Sequence, residues 1–181
     1  MAQLQPKLIF LLSCLSIVFG CKNTIPDRTP LAPPFVAETA TGGSLSLLEL
    51  SKDRNVLIVF ASADGEVGRS AFAIAKRIED QLGSDKWVAI AAINTDADKL
   101  GSWSNGSAAK VIGDPSARFA MRYKARISPT FQIIGKGGTW GPKVEGCDAL
   151  SMKELEKTLD MRPGALSGLG NQKARDSQSI W

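Results

Sequence analysis

The chain has 181 residues, 44% hydrophobic and 22% charged, with 22 basic and 18 acidic side chains and a formal charge of +4. That balance is ordinary for one globular domain with a real core, and its scattered basic charge gives no footing for nucleic acid or an anionic membrane surface. There is no histidine, which removes Ser-His-Asp and Cys-His catalysis, His-ligated metals and the commonest general base.

Lys7 precedes Leu8–Phe19, an apolar run broken only by Ser13, Cys14 and Ser16. A membrane-spanning helix needs roughly 20 apolar residues, so residues 1–20 read as a signal peptide rather than a span. The run ends in Val18-Phe19-Gly20-Cys21. This resembles the bacterial lipobox, in which a cysteine after a small residue is lipidated and becomes the mature N-terminus. Phe19 is bulky for its position, and the alternative is plain secretion with Cys21 left as a free thiol. Both readings export the protein, to face the periplasm or the exterior. Lipidation at Cys21 further implies a lipid anchor in a bacterial membrane. Residues 21–34, with Pro26, Pro30, Pro33 and Pro34, read as an extended tether.

A domain over residues 35–160 follows. Phe35–Ala40 and Ser44–Leu48 flank Thr41-Gly42-Gly43, which is a hairpin signal. A buried strand is predicted at Val56–Ala61. A helix over Val67–Leu82 places Ala71, Ala75, Ile78 and Leu82 on one face and is closed by Gly83. Trp87–Ile93 is a second buried strand, so strand, helix and strand make a right-handed parallel unit. A short helical turn near Asp98–Trp103 and a turn at Asn105-Gly106 lead to Asp114-Pro115. That pair predicts an N-cap, with proline at the first position of a helix running to about Tyr123. Thr130–Ile134 and Thr139–Val144 form a hairpin around Gly135-Lys136-Gly137-Gly138. Ser151-Met152-Lys153-Glu154 reads as a capping box opening a last helix through Leu155 and Leu159. Pro163-Gly164 stops that helix, and residues 161–181 read as a loose polar tail.

Three features together resemble the thioredoxin fold, and within it the redoxin group of membrane-tethered thiol-disulfide oxidoreductases and peroxiredoxins. The first is the Ala32-Pro33-Pro34-Phe35 string with its hairpin. The second is the strand Val56–Phe60 turning into a helix at Gly65–Arg69. The third is Arg126-Ile127-Ser128-Pro129-Thr130-Phe131, which is similar to the family's cis-proline loop. The resemblance covers about residues 32–159. It implies an α/β three-layer sandwich, a central mixed sheet with helices on both faces and an N-terminal hairpin.

The same resemblance places a Trp-Cys-x-x-Cys motif where this chain has Asp64, Gly65, Glu66, Val67 and Gly68. No cysteine lies between Lys22 and Gly146. In the family the thiolate at a helix N-terminus is activated by backbone N–H groups and the helix dipole. Gly65 and Gly68 supply nothing to ionise, so disulfide exchange and peroxide reduction by the familiar route are excluded.

The remaining candidates each carry a plainer alternative. Asp64 and Glu66 are either an acid/base or cation pair, or carboxylates complementing a helix N-terminus. Cys147 is either a redox thiol that exchanges with a partner, or a half-buried small apolar residue. Ser128, Pro129 and Thr130 either border a peptide groove, where the main chain before the proline binds an extended segment, or keep the geometry for structural reasons. Trp103, Trp140 and Trp181 are candidate surface anchors for a partner, whereas Trp87 opens a core strand. No cofactor and no metal site are expected. The sequence reading is a redox-inactive, exported binding or assembly module for an envelope protein or extended peptide, rather than an enzyme. The alternative is a non-standard redox participant using Cys147.

Overall fold

The computed structural model describes residues 29–63, 66–103 and 110–169. Cys21, Asp64, Gly65, the turn at Asn105-Gly106 and Trp181 lie outside them. The elements in chain order are β1 (Val36–Glu38), β2 (Ser44–Ser46), α1 (Leu47–Ser51), β3 (Asn55–Ser62), α2 (Glu66–Leu82) and β4 (Trp87–Asn94). A 3-10 segment at Ala97–Trp103 follows, then β5 (Val111–Gly113), α3 (Arg118–Arg122), β6 (Thr130–Gly135), β7 (Thr139–Glu145) and α4 (Ala149–Thr158).

Five strands form one sheet in the order β5-β4-β3-β6-β7. β3 and β4 pair in parallel, as do β4 and β5, whereas β6 runs antiparallel to both of its neighbours, β3 and β7. Successive residues of a strand face opposite sides, and both sides of β3 are buried. Leu57, Val59 and Ala61 face a core that includes Ala71, Ile74, Ala75 and Ile78 of α2 and Met152 and Leu155 of α4. Val56, Ile58 and Phe60 face a second core built from the N-terminal hairpin, Ala120 and Tyr123. Burial on both faces explains why β3 and β4 read as unbroken apolar runs. The mixed sheet, the helices on both faces and the antiparallel hairpin β1–β2 match the expected architecture.

Several local expectations are corrected. Leu47 and Leu48 do not extend β2 but open α1. Leu47 and Ser51, four residues apart, are buried while Leu48 is exposed, which is helical spacing. The helix expected from Asp114 to Tyr123 is broken by left-handed Ser116 (φ 61°) and Ala117 (φ 51°). The buried Asp114 carboxylate reaches past the break to accept from the N–H groups of Phe119 (2.8 Å) and Ala120 (2.9 Å). The last helix begins before the expected capping box, because Asp148 is its cap and accepts from the N–H groups of Leu150 and Ser151 at 2.9 Å. The Ser151 hydroxyl donates instead to the Glu145 carbonyl.

Both ends of the domain extend further than expected. The tether packs from Pro30 onward: Ala32 N–H donates to Gly138 O (2.9 Å), Trp140 N–H donates to Pro30 O (2.8 Å), and Leu31 bridges Thr139. At the other end, residues 161–169 are not loose. The buried Glu156 carboxylate accepts from the N–H groups of Gly164 and Leu166, and Leu166 is fully buried in the α2–α4 core.

Candidate functional site

β3 ends at Ser62 and α2 begins at Glu66, so the partial positive charge of a helix N-terminus sits at the carboxyl end of a central strand. Gly68, which matches the second cysteine of the resembled motif, is buried in the first turn of α2. A Cβ at this position would lie 2.7 Å from the Trp103 indole, 2.9 Å from the Ser62 carbonyl oxygen and 3.1 Å from Ala61 Cβ. No ordinary side chain fits there without moving its surroundings. Position 68 therefore has no room for a thiol side chain in this packing.

Trp103 closes this space. It ends the 3-10 segment that follows β4, and β4 pairs with β3 up to Ser62 and Asn94. Its ring is buried, with the Arg69 guanidinium 5.7 Å from the ring centroid. The reading of Trp103 as a surface anchor is thus corrected: the side chain is core. Trp140 is half-buried and stacks on Tyr123 with centroids 5.3 Å apart. Trp87 starts β4, half-buried against the core.

The second motif comes to the same place. The Ser128–Pro129 peptide is cis. The Ser128 hydroxyl oxygen accepts from the Ser62 N–H at 2.9 Å, tying the loop to the end of β3. Thr130 Oγ1 donates to Ile127 O at 2.6 Å, and Pro129 O accepts from Gly146 N–H at 2.8 Å. Ser128, Pro129 and Thr130 are all buried. The geometry therefore brings together the head of α2, Trp103 and the Ser128-Pro129-Thr130 loop.

Cys147 follows Gly146 and is buried in the α2–α4 core. Burial pushes its thiol pKa up, and the neighbouring Asp148 carboxylate pushes it further. Asp148 itself is held below the usual carboxylate range by the backbone N–H groups it caps. Both influences on Cys147 oppose the thiolate, the opposite of what activates a reactive cysteine. Among the described residues no helix is long and apolar enough to cross a membrane, and no group of three or more potential ligands could hold a metal ion.

Sequence reasoning misread Trp103, whose type alone gave no sign of its burial, and missed Glu79. Glu79 lies four residues after Ala75 on the apolar stripe of α2. Its buried carboxylate accepts from Ala89 N–H (3.1 Å) beyond the reach of β5, and pairs with Lys110.

No protein-family model matches the chain, and no curated protein matches it. Solved structures do. A candidate thiol:disulfide interchange protein DsbE from Chlorobium tepidum superposes with TM-score 0.62 at 19% identity, over 78% of this chain and 99% of that one. The pneumococcal exposed lipoprotein thioredoxin of Streptococcus pneumoniae gives 0.56 at 18% identity, over 71% and 100%. The peroxidoxin BcpB of Mycobacterium tuberculosis gives 0.58 at 13% identity, over 73% and 93%. The fold is thioredoxin-like. At such identities the likeness speaks for the fold alone, and the site must be argued from its own residues.

Proposed function

We propose that this chain is a redox-inactive thioredoxin-like lipoprotein of the bacterial cell envelope, acting as a protein-binding or assembly module. The observation that carries this reading is the space at Gly68, closed by Trp103 and by the Ser62 carbonyl. Oxidoreductases of this fold keep that position for a thiol, and here it is filled by core packing. The leader and lipobox-like Cys21 support export and lipid anchoring, as does the likeness to an exposed lipoprotein thioredoxin. The contact surface we assign is the head of α2 with the Ser128-Pro129-Thr130 loop. With those three side chains buried, main-chain groups would do the binding by strand addition.

The test is insulin reduction by the full-length chain in detergent, with dithiothreitol as electron donor. A rate equal to that of donor alone, unchanged by Cys147→Ser, supports a catalytically silent fold. A clear rate lost with Cys147→Ser sinks it and makes Cys147 a redox thiol. The binding half is tested by crosslinking to envelope proteins, which Pro129→Ala should weaken while the melting transition stays cooperative.

A further inference from the structure

Another cleft lies elsewhere. It has a volume of about 630 Å³ and is lined by the edge of β1, the stretch 96–98 after β4, the stretch 113–115 after β5, and α3. It thus sits outside the carboxyl ends of two parallel strands, where open α/β sheets commonly take ligands, and its size is that of an ordinary binding site. The 3-10 segment Ala97–Trp103 separates it from the closed turn, beginning in the cleft and ending with Trp103 against Gly68. We propose that this cleft binds an extended polypeptide segment carrying an acidic side chain beside an apolar one, with a basic side chain further along.

Four observations carry the proposal. Arg118 and Arg122, one turn apart on α3, both line the cleft and are exposed, and neither makes an ion pair among the described residues. Two guanidinium forks in this spacing suit a carboxylate. The helix that presents them is held at a cost: consecutive left-handed, non-glycine Ser116 and Ala117 precede it, and the buried Asp114 carboxylate ties down its first turn. Next to the arginines is an apolar surface, half-buried Phe119 and Val36, the latter 66% exposed.

The fourth observation is the backbone of β1. Thr39 N–H donates to Gly43 O, and Leu47 N–H donates to Phe35 O. Odd-numbered residues therefore face β2, and alternation turns the N–H and C=O of Val36 toward the other edge, where β5 joins only further along, by the Thr39–Ile112 bridge and the Ala40 N–H to Val111 O bond. A strand edge with two arginines and an apolar patch beside it fits an incoming extended segment.

The acidic lining narrows the choice. Asp96 is engaged by Lys99 at 2.8 Å, whereas Glu38 and Asp98 have no ion pair among the described residues. Those carboxylates disfavour nucleic acid or a polyanion, and the arginines disfavour a metal cation. A segment of mixed charge satisfies both sets. The inference is independent of the Ser128–Thr130 contact surface, since it rests on different residues.

The test pans a phage-displayed random heptapeptide library on the immobilised full-length chain. The expected outcome is enrichment of peptides with Asp or Glu next to an aliphatic or aromatic residue and Lys or Arg two to four positions away. A synthetic peptide of the enriched sequence should bind at least tenfold more weakly to Arg118→Gln/Arg122→Gln, and equally well to Pro129→Ala. Both arginines are exposed on a helix surface, so circular dichroism should show the double variant folded. A charge-reversed peptide on the parent chain gives the same loss without any mutation. The proposal is overturned by no enrichment over a control protein, by enriched peptides lacking an acid, or by binding indifferent to both the arginines and the peptide's charge order.

Discussion

Replacing Gly68 by alanine tests the packing argument most directly. In a helix interior Gly→Ala normally gains about 1 kcal/mol from propensity. Here the added Cβ would meet the Trp103 ring at 2.7 Å, the Ser62 carbonyl oxygen at 2.9 Å and Ala61 Cβ at 3.1 Å. The ring is wedged in the core, and the carbonyl belongs to the central strand, so neither yields easily. Overpacking costs about 1–3 kcal/mol, and backbone involvement puts this site near the upper end. The net loss is then about 2 kcal/mol. For a domain of this size that lowers Tm by about 8 °C, readable by circular dichroism. In a Trp103→Ala background the nearest contact is gone while the carbonyl remains. The penalty should fall by about half, a coupling that a double-mutant cycle measures. A Gly68→Ala protein as stable as the parent, or more so, would refute the reasoning, because a side chain would then fit at position 68 after all.

Further outcomes are expected at four positions. Glu79→Ala should cost about 2–3 kcal/mol by leaving the buried Ala89 N–H and the Lys110 ammonium without their carboxylate; Glu79→Gln, which keeps an acceptor, should recover part of that in urea melts. The Cys147 thiol has a folded pKa above its ordinary value of 9.0. The unfolded chain therefore loses this proton first, so stability is full below the ordinary thiol range and declines as pH rises through it and beyond. Cys147→Ala should flatten that alkaline decline, and iodoacetamide should label native Cys147 far more slowly than the unfolded thiol. Leu166→Ala should cost about 2–5 kcal/mol, as expected for a fully buried leucine. Glu156→Ala should speed hydrogen exchange at the Gly164 and Leu166 amides; protection as low in the parent as in the variant would mean this segment is not held.

What could be read from the sequence was whatever leaves a long pattern. β3 and β4 carry apolar runs of six and seven residues, Val56–Ala61 and Trp87–Ile93, and α2 shows Ala71, Ala75 and Ile78 at helical spacing, so strand, helix and strand were legible. β5 escaped because three residues, Val111–Gly113, carry no period. Leu47 and Leu48 fit strand and helix equally until their exposures are known. Asp148 and Ser151 are both competent caps, and only the path of the chain out of β7 selects between them. At the site, the missing cysteines were plain from the sequence, and the loop at Pro129 was legible as a motif. The filling of the vacated space was not. Trp103 lies 35 positions from Gly68, and nothing local distinguishes a tryptophan on the surface from one wedged against a helix.

The pairing of Pro30–Ala32 with the start of β7 also decides where force enters the domain from its N-terminal side. Eight residues separate Cys21, the lipidation site proposed above, from Pro30, the first residue paired with that strand. The chain enters at a sheet edge, so any pull from that side is delivered first to the hydrogen bonds from Ala32 to Gly138 and from Trp140 to Pro30. Releasing that clip would let out a few residues before the rest of the domain bore any load. It also hides part of an edge strand that would otherwise invite pairing with another copy.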